Sequence, residues 1–273
     1  ELADTLALDP LVLRRRLHIR AGQSSPIFAK LGEGRAGVAQ SIGSCHLPEC
    51  ITRGAAAIGW ERSFAVNKQR RADWSVASPY RRGVGIATLM QGSSIPEIDM
   101  GAATIKMNED GSFNLLVGAT DLGTGSDTIL AQIAAEVLGV ETADILVYSS
   151  DTDVTPFDVG AYASSTTYLS GNAVVKTALA VAAQILRVAA ELTGQSAQGA
   201  HLRAKHVVFA DGTRVPFSEI ACYALYRRNQ FQIAATESYT ARVSPPPFAA
   251  HFAEVEVDTE TGEVLVTRVV CVN

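Results

Sequence analysis

Cysteine is scarce in this chain, with four among 273 residues. Cys45, Cys50, Cys222 and Cys271 follow neither a metal-ligand spacing nor a secreted disulfide framework, so reduced thiols of a cytoplasmic protein are the default. Histidine is as sparse, and the five residues are too dispersed to form a cluster. An excess of positive charge is missing too: 23 Lys and Arg against 28 Asp and Glu give a net charge of −5. Arg14, Arg15, Arg16, the pair Arg81 and Arg82 and the short basic groups at 62–71 and 227–228 are far apart in the sequence, which argues against a nucleic-acid partner. Long apolar runs are also lacking. The nearest, 173–190, is broken by Lys176, Gln184 and Arg187 and reads as a buried helix rather than a membrane span. No signal peptide is visible, and both ends read as cut, since residues 1–7 already look helical and 263–273 stops in a strand-like run. With 47 % hydrophobic residues, material for a core is ample.

What is present is organised around Gly-Ala-Thr-Asp-Leu-Gly-Thr-Gly-Ser-Asp-Thr at 118–128. Residues 113–117 before it read as a short apolar strand. After it Ile129, Leu130, Ile133, Ala134, Val137 and Leu138 recur at helical spacing, and Gly139 ends the run. A strand, a glycine turn and a helix start gather free backbone N–H groups at one point, which suits a phosphate or another anion. Gly118 and Gly123 have the spacing that opens a P-loop, but Thr124 stands where that motif needs lysine, so mononucleotide binding by that route is disfavoured. The plainer reading is a helix capped by Thr124 or Ser126, with Asp127 favoured in its first turn.

Asp9-Pro10 predicts a helix start, and Pro48 another helix, running to Trp60; 21–40 reads as loop and 62–71 as a solvated basic segment. Strands are predicted over 83–90, 102–107 and 113–117, with a turn at 108–111. Residues 145–148 form an unbroken apolar strand of the kind buried on both faces, which makes strand, helix and strand a βαβ unit. A long, nearly uncharged helix follows over 163–192, stopped by Gly194, and should lie largely under other structure. A hairpin at 206–217, a short helix from Ser218, a strand over 231–239 and a last hairpin at 251–270 complete the chain. The fold class is α/β, or α+β by content: mixed sheets, a βαβ unit and a long buried helix. Composition divides it into a helical and loop opening segment (1–80), a βαβ subdomain (81–193) and, past a boundary at 194–204, a second α+β subdomain (205–273).

The second candidate site is Asp-Val-Gly-Ala-Tyr-Ala-Ser-Ser-Thr-Thr-Tyr at 158–168. Ser164, Ser165, Thr166 and Thr167 crowd the start of the long helix, where one cap needs one hydroxyl; the surplus favours an oxo-anion or phosphate, against ordinary capping. By βαβ logic both helix starts follow the carboxyl ends of neighbouring strands, the usual binding edge of such sheets. Asp121, Asp127, Asp151, Asp153 and Asp158 lie near that rim, but Asp in such loops is usually turn chemistry. No catalytic constellation can be read from spacing.

At these stretches the sequence resembles the molybdopterin-binding subunit of the molybdenum hydroxylases, the family of xanthine dehydrogenase, aldehyde oxidase, nicotinate dehydrogenase and 4-hydroxybenzoyl-CoA reductase. The ordered matches are the helix at 4–16, Arg-Gly-Val-Gly-Ile-Ala at 82–87, Asp-Gly-Ser at 110–112, Asp-Leu-Gly-Thr-Gly-Ser-Asp-Thr at 121–128 with 131–136, Thr-Pro-Phe-Asp-Val-Gly-Ala-Tyr-Ala-Ser at 155–164, residues 168–173, and Val-Glu-Val-Asp-Thr-Glu-Thr-Gly at 255–262. The Pro-Phe-Asp-Val-Gly-Ala-Tyr-Ala-Ser form is nearest the nicotinate and hydroxybenzoyl-CoA branch.

The resemblance implies that Gly123, Thr124, Gly125 and Ser126 lie against a molybdopterin, in its molybdenum or cytosine dinucleotide form. It implies that Ala163 and Ser164 approach the metal end without ligating it. Ser165, Thr166 and Thr167 would hold the pterin or its phosphate, and Tyr162, Thr88, Leu89 and Met90 would face a channel for a small aromatic, N-heteroaromatic, aromatic acyl or aldehyde substrate. Electrons would pass to Fe–S and FAD partner subunits. Thr124 stands where the family usually has Gln, and Ser165 where this branch often has Arg. The family's Phe-Arg-Gly segment and its Gly-x-Gly-Glu segment with the catalytic glutamate are not in this sequence, so no catalytic residue is assigned in it. The expectation is an incomplete cytoplasmic subunit that depends on a further molybdopterin-subunit segment. The rival is a cofactor-free structural or assembly subunit of the same fold.

Overall fold

The computed structural model describes residues 1–72, 78–227 and 230–273, with the side chains of 68–72 outside the description. In chain order the first elements are α1 (Leu2–Thr5), α2 (Pro10–Leu17), α3 (Leu47–Ile58), α4 (Trp60–Ala72), β1 (Tyr80–Met90), β2 (Met100–Met107) and β3 (Phe113–Val117). Next come α5 (Ser126–Leu138), β4 (Ile145–Ser149), α6 (Thr166–Thr193), β5 (His201–Arg203), β6 (His206–Val208) and β7 (Arg214–Pro216). The last are α7 (Phe217–Tyr226), β8 (Ala234–Thr240), β9 (Phe248–Asp258) and β10 (Val264–Val272). The chain folds into two compact units.

The first unit collects residues 1–30, 39–92 and 245–273. Its sheet has the order β1-β9-β10, antiparallel throughout, with Tyr80 opposite Asp258 and Met90 opposite Phe248. Asp9 starts α2 as predicted, its carboxylate accepting the Leu11 N–H at 2.6 Å. The same carboxylate receives the buried Trp60 indole N–H at 3.0 Å. The helix expected from Pro48 to Trp60 instead ends at Ile58, because Gly59 takes a left-handed conformation (φ 70°), and α4 continues after it. Of the basic stretch 62–71, Arg62 is exposed on α4, and the side chains of 68–71 lie outside the described residues. Leu11, Ile51, Ile58, Trp60, Ile86 and Phe252 form the core of this unit.

The second unit holds residues 31–38 and 93–244. Its main sheet has the order β4-β3-β2-β8, in which β3 and β4 are parallel and the other pairs antiparallel. The predicted βαβ unit is therefore present. Burial alternates along β3, where Phe113, Leu115 and Val117 are fully buried and Asn114 and Leu116 are not, so one face of the sheet carries the core. Burial of β4 on both faces was expected; instead β4 is an edge strand that exposes Leu146 (56 %) and Tyr148 (46 %).

Helix α6 begins at Thr166 rather than Ala163 and ends at Gly194, as predicted. A stripe through Val174, Thr177, Val181, Ile185 and Val188 is fully buried, and Thr177 Oγ1 donates to the Ala103 carbonyl of β2 at 3.1 Å. Its opposite side exposes Leu179, so the helix is less covered than its composition predicts: half of its most apolar stretch is buried. The helix expected from Ser218 begins at Phe217 with Pro216 as its N-cap, and 201–203, within the boundary expected at 194–204, is a strand.

The units do not follow the boundaries expected at 80 and 194–204. β1 pairs with β9, about 170 residues downstream, so the unit is made by strand pairing that composition does not display.

Candidate functional site

The glycine turn folds around one carboxylate. Asp121 Oδ1 accepts the N–H groups of Gly123 at 2.8 Å and Gly125 at 3.1 Å. Desolvation raises the Asp121 pKa, but N–H bonds from Gly123, Gly125, Asp127 and Thr124 outweigh it and leave the group below its ordinary value. Two of the N–H groups that the sequence offers to an anion are thus taken by the protein's own carboxylate. Gly125, in the left-handed region (φ 73°), is the N-cap of α5; neither Thr124 nor Ser126 caps it, in contrast to the plainer reading. Gly123 is also left-handed (φ 92°), and a Cβ on either glycine would meet nothing within 4 Å. One side of the turn is therefore bare backbone in open space. Thr124 is exposed. Ser126 is 3 % exposed, and its Oγ has no hydrogen-bond partner. Asp127 Oδ2 accepts the Ser149 hydroxyl at 3.0 Å, joining the start of α5 to the end of β4, while its buried Oδ1 has no partner.

The loop after β4 lies against this turn. A Cβ on Gly118 would come within 2.4 Å of the Pro156 carbonyl oxygen, so only glycine lets the two backbones touch. Ser150 Oγ donates to the Ala119 carbonyl at 3.2 Å. Asp158 accepts the Gly160 N–H at 2.9 Å and the Ser170 hydroxyl of α6 at 2.7 Å. Asp151 accepts the Asp153 N–H at 3.0 Å. Asp121, Asp151 and Asp158 thus serve turns and loop anchoring. Farther along, the Ile133 side chain of α5 reaches Gly171 of α6, where a Cβ would stand 3.1 Å from it. Parallel β3 and β4 end at one edge of the sheet, where α5 follows β3, and Ser170 in the first turns of α6 stands against Gly101 of β2 at the same edge.

The start of α6 is delayed because Ala163 (φ 48°) and Ser164 (φ 54°) are both left-handed, which non-glycine residues avoid. Ser165 is the N-cap but does not cap with its side chain; it is 2 % exposed, and its Oγ donates inward to the Tyr162 carbonyl at 2.7 Å. Of the four hydroxyl residues, Ser164 and Thr167 are exposed, Thr166 is half-buried and Ser165 is turned in. No side chain among the described residues hydrogen-bonds the first turn of this 28-residue helix, whose start carries the exposed Ser164 and Thr167.

Tyr162 precedes this turn. Its hydroxyl donates to Oδ1 of Asp99, a fully buried carboxylate whose Oδ2 accepts the Ile95 N–H at 2.6 Å. That hydrogen bond first, then desolvation and the charges of Asp99, Glu33 and Asp158, push the Tyr162 phenol up to about 12. Asp99 was not singled out in the sequence: it sits in a loop 63 residues from its partner, and no spacing rule links the two. Thr88, Leu89 and Met90 end β1 in the first unit, where Leu89 and Met90 are exposed. Among the described residues no group of His, Cys, Asp and Glu could hold a metal ion.

The family described as "Molybdopterin cofactor-binding domain" matches residues 53–273. The chain is 37 % identical over 265 residues to the "Probable hypoxanthine oxidase XdhD" of Escherichia coli O157:H7, covering 97 % of this chain and 27 % of that protein. It is 32 % identical over 280 residues to the "Xanthine dehydrogenase molybdenum-binding subunit" of the same organism, covering all of this chain and 35 % of the relative. The chain thus spans about a third or less of the curated relatives it matches. Among solved structures, CO dehydrogenase from Oligotropha carboxidovorans superposes with a TM-score of 0.82 at 22 % identity, over 99 % of this chain and 34 % of that one. Quinoline 2-oxidoreductase from Pseudomonas putida 86 gives 0.78 at 22 % identity, over 98 % and 35 %. At that identity the likeness establishes the fold.

Proposed function

The chain belongs to the molybdopterin cofactor-binding domain family, and on that footing we propose that it is the cofactor-binding part of a xanthine dehydrogenase-like molybdenum hydroxylase. It works with a further molybdopterin-subunit segment and with Fe–S and FAD subunits. The names of two relatives, a "dehydrogenase complex subunit gamma" and a "large subunit", support an assembly of several chains. Four free cysteines support a cytoplasmic setting.

The observation that carries the reading is the glycine turn with one open side, next to a buried Ser126 hydroxyl that lacks a partner, on the same sheet edge as the uncapped start of α6. These residues fit a pterin with a phosphate and divide the work. Gly123, Thr124, Gly125 and Ser126 offer a flat approach and polar atoms to a ring. Asp121 already occupies two of the turn amides, so the phosphate goes to the amides leading α6, beside Ser164, Thr166 and Thr167. Ser165 contributes by fixing the turn, since its side chain points inward. Ala163 and Ser164 are assigned to the metal end. The ring of Tyr162 is assigned to substrate contact. When bound, such a cofactor supplies the redox chemistry for hydroxylating an electron-poor ring or aldehyde carbon. The protein's part is to orient and exclude; the phenol of Tyr162 is committed to Asp99 and is not a general acid or base.

Metal analysis of the natively purified assembly, with pterin fluorescence after denaturation, tests this. Molybdenum and pterin are expected, and absence of both removes the proposal. A cofactor-free structural subunit is the second reading, favoured by one observation, the occupation of the turn amides by Asp121. Thr124→Ala separates the two: the cofactor reading requires a change in turnover of the full assembly, the structural one none.

A further inference from the structure

Asp99 is a fully buried carboxylate outside both segments that the sequence marks. The loop that carries it is tied down: the Ser93 N–H donates to Ser244 Oγ at 2.9 Å and the Glu97 N–H to the Ala241 carbonyl at 2.8 Å. Asp99 itself spans the loop to the Ile95 N–H and reaches out to one side chain, Tyr162. Tyr162 has three attachments: its N–H to the Gly160 carbonyl at 3.0 Å, its carbonyl to the Ser165 N–H and hydroxyl at 3.0 and 2.7 Å, and its hydroxyl to Asp99. Between Tyr162 and Ser165 lie the two left-handed residues Ala163 and Ser164. Two adjacent non-glycine residues in that region persist only where surrounding bonds over-determine them. The Ser165 bonds are local and move with the turn. Among these bonds, the Asp99 contact alone fixes the turn to a distant rigid loop.

We infer that Asp99 is a positioning residue: through the Tyr162 hydroxyl it holds the strained Ala163–Ser164 turn, and with it the leading edge of α6, in the conformation that meets the bound cofactor and substrate. The consequence for substrate class is that Tyr162 presents an aromatic ring and no free hydroxyl, a wall suited to planar rings. This inference rests on the cofactor-binding reading above.

The test uses the full assembly carrying Asp99→Ala, Asp99→Asn, Tyr162→Phe and the double variant Asp99→Ala/Tyr162→Phe. Loss of an outer positioning partner lowers activity about 10–100-fold, and Asp99→Ala is expected in that range with the loss mainly in kcat. The double variant should be no worse than the more impaired single one, because the two residues act as one device. Asp99→Asn keeps its carbonyl oxygen as acceptor for the Ile95 N–H and can donate its amide N–H to the Tyr162 hydroxyl oxygen, so it should recover most of the activity. Independently of loading, tyrosinate absorbance should show one late-ionising tyrosine vanish in Tyr162→Phe and the same one ionise earlier in Asp99→Ala. Additive losses, a titration unmoved by Asp99→Ala, or no recovery with asparagine would each overturn the inference. Should Asp99→Ala not fold, Tyr162→Phe decides alone: amide exchange over 160–165 should quicken with the rest of the second unit unchanged, and unchanged exchange there overturns it. Molybdenum and pterin content is measured in parallel, so failure of the cofactor reading is seen in the unsubstituted assembly, whereas failure of this inference is seen in the titration and exchange.

Discussion

Asp121 illustrates how one side chain changes what a motif can do. Its glycine turn has the backbone of an anion site, yet the carboxylate three residues into the motif fills it. Because those N–H bonds lower its pKa below the ordinary 3.8, the stabilisation they give is fully present above that value and is lost as pH falls through the lower folded one. Amide exchange at Gly123 and Gly125 should therefore stay slow down to about pH 4, relative to chemical exchange rates, and Asp121→Ala should accelerate it at neutral pH. Tyrosine titrates with the opposite sense. Tyr162 is pushed up to about 12 by its hydrogen bond to Asp99, and Tyr168 to about 12 by desolvation and then its bond to Tyr239. In both the folded pKa exceeds the unfolded one, so the contribution is complete below pH 10 and lost as pH rises through about 12. An ultraviolet titration should find at least two of the seven tyrosines ionising late.

Elements follow from periodicity when one face has something to cover. Helix α6 separates the two kinds of apolar residue in one segment: Ile185 is fully buried in the core, whereas Leu179 is 56 % exposed. Ile185→Ala should cost about 2–5 kcal/mol through lost burial and a cavity, and Leu179→Ala no more than about 0.5 kcal/mol; denaturant unfolding of the two variants measures the contrast. Loops obey a different rule, close approach. Gly118→Ala puts a methyl 2.4 Å from the Pro156 carbonyl, a backbone atom that cannot swing aside. The expected cost is about 1–3 kcal/mol, and the two loops at the sheet edge should separate, seen as faster amide exchange over 118–125 and 150–160.

At the scale of the whole molecule, each unit is sewn from distant segments. The sheet of the first unit exists only when β1 finds β9, and the buried Phe252 of β9 packs over Gly54 of α3, where a Cβ would meet the ring at 2.1 Å. Phe252→Ala should lower the stability of this unit by about 3–5 kcal/mol, read as faster exchange over 80–90 and 248–258.

Most of the elements were legible in the sequence, because helix starts, glycine stops and apolar periodicity are local quantities: Asp9-Pro10, Gly139, Gly194 and the βαβ order could all be read without coordinates. The two stretches at 118–128 and 158–168 were legible too, since glycine and hydroxyl residues at a helix start are a local signature. Tertiary structure alone decided which of their groups are free. Asp121 fills one turn, Ser165 faces inward, Ser126 is left without a partner, and Asp99 reaches Tyr162 across 63 residues. It also decided that β4 is an edge and that residues 245–273 join 1–30 and 39–92 rather than the α+β segment before them. The physical reason is the same throughout. A hydrogen bond or strand pair between distant residues depends on where folding brings them, and a linear sequence carries no term for that distance.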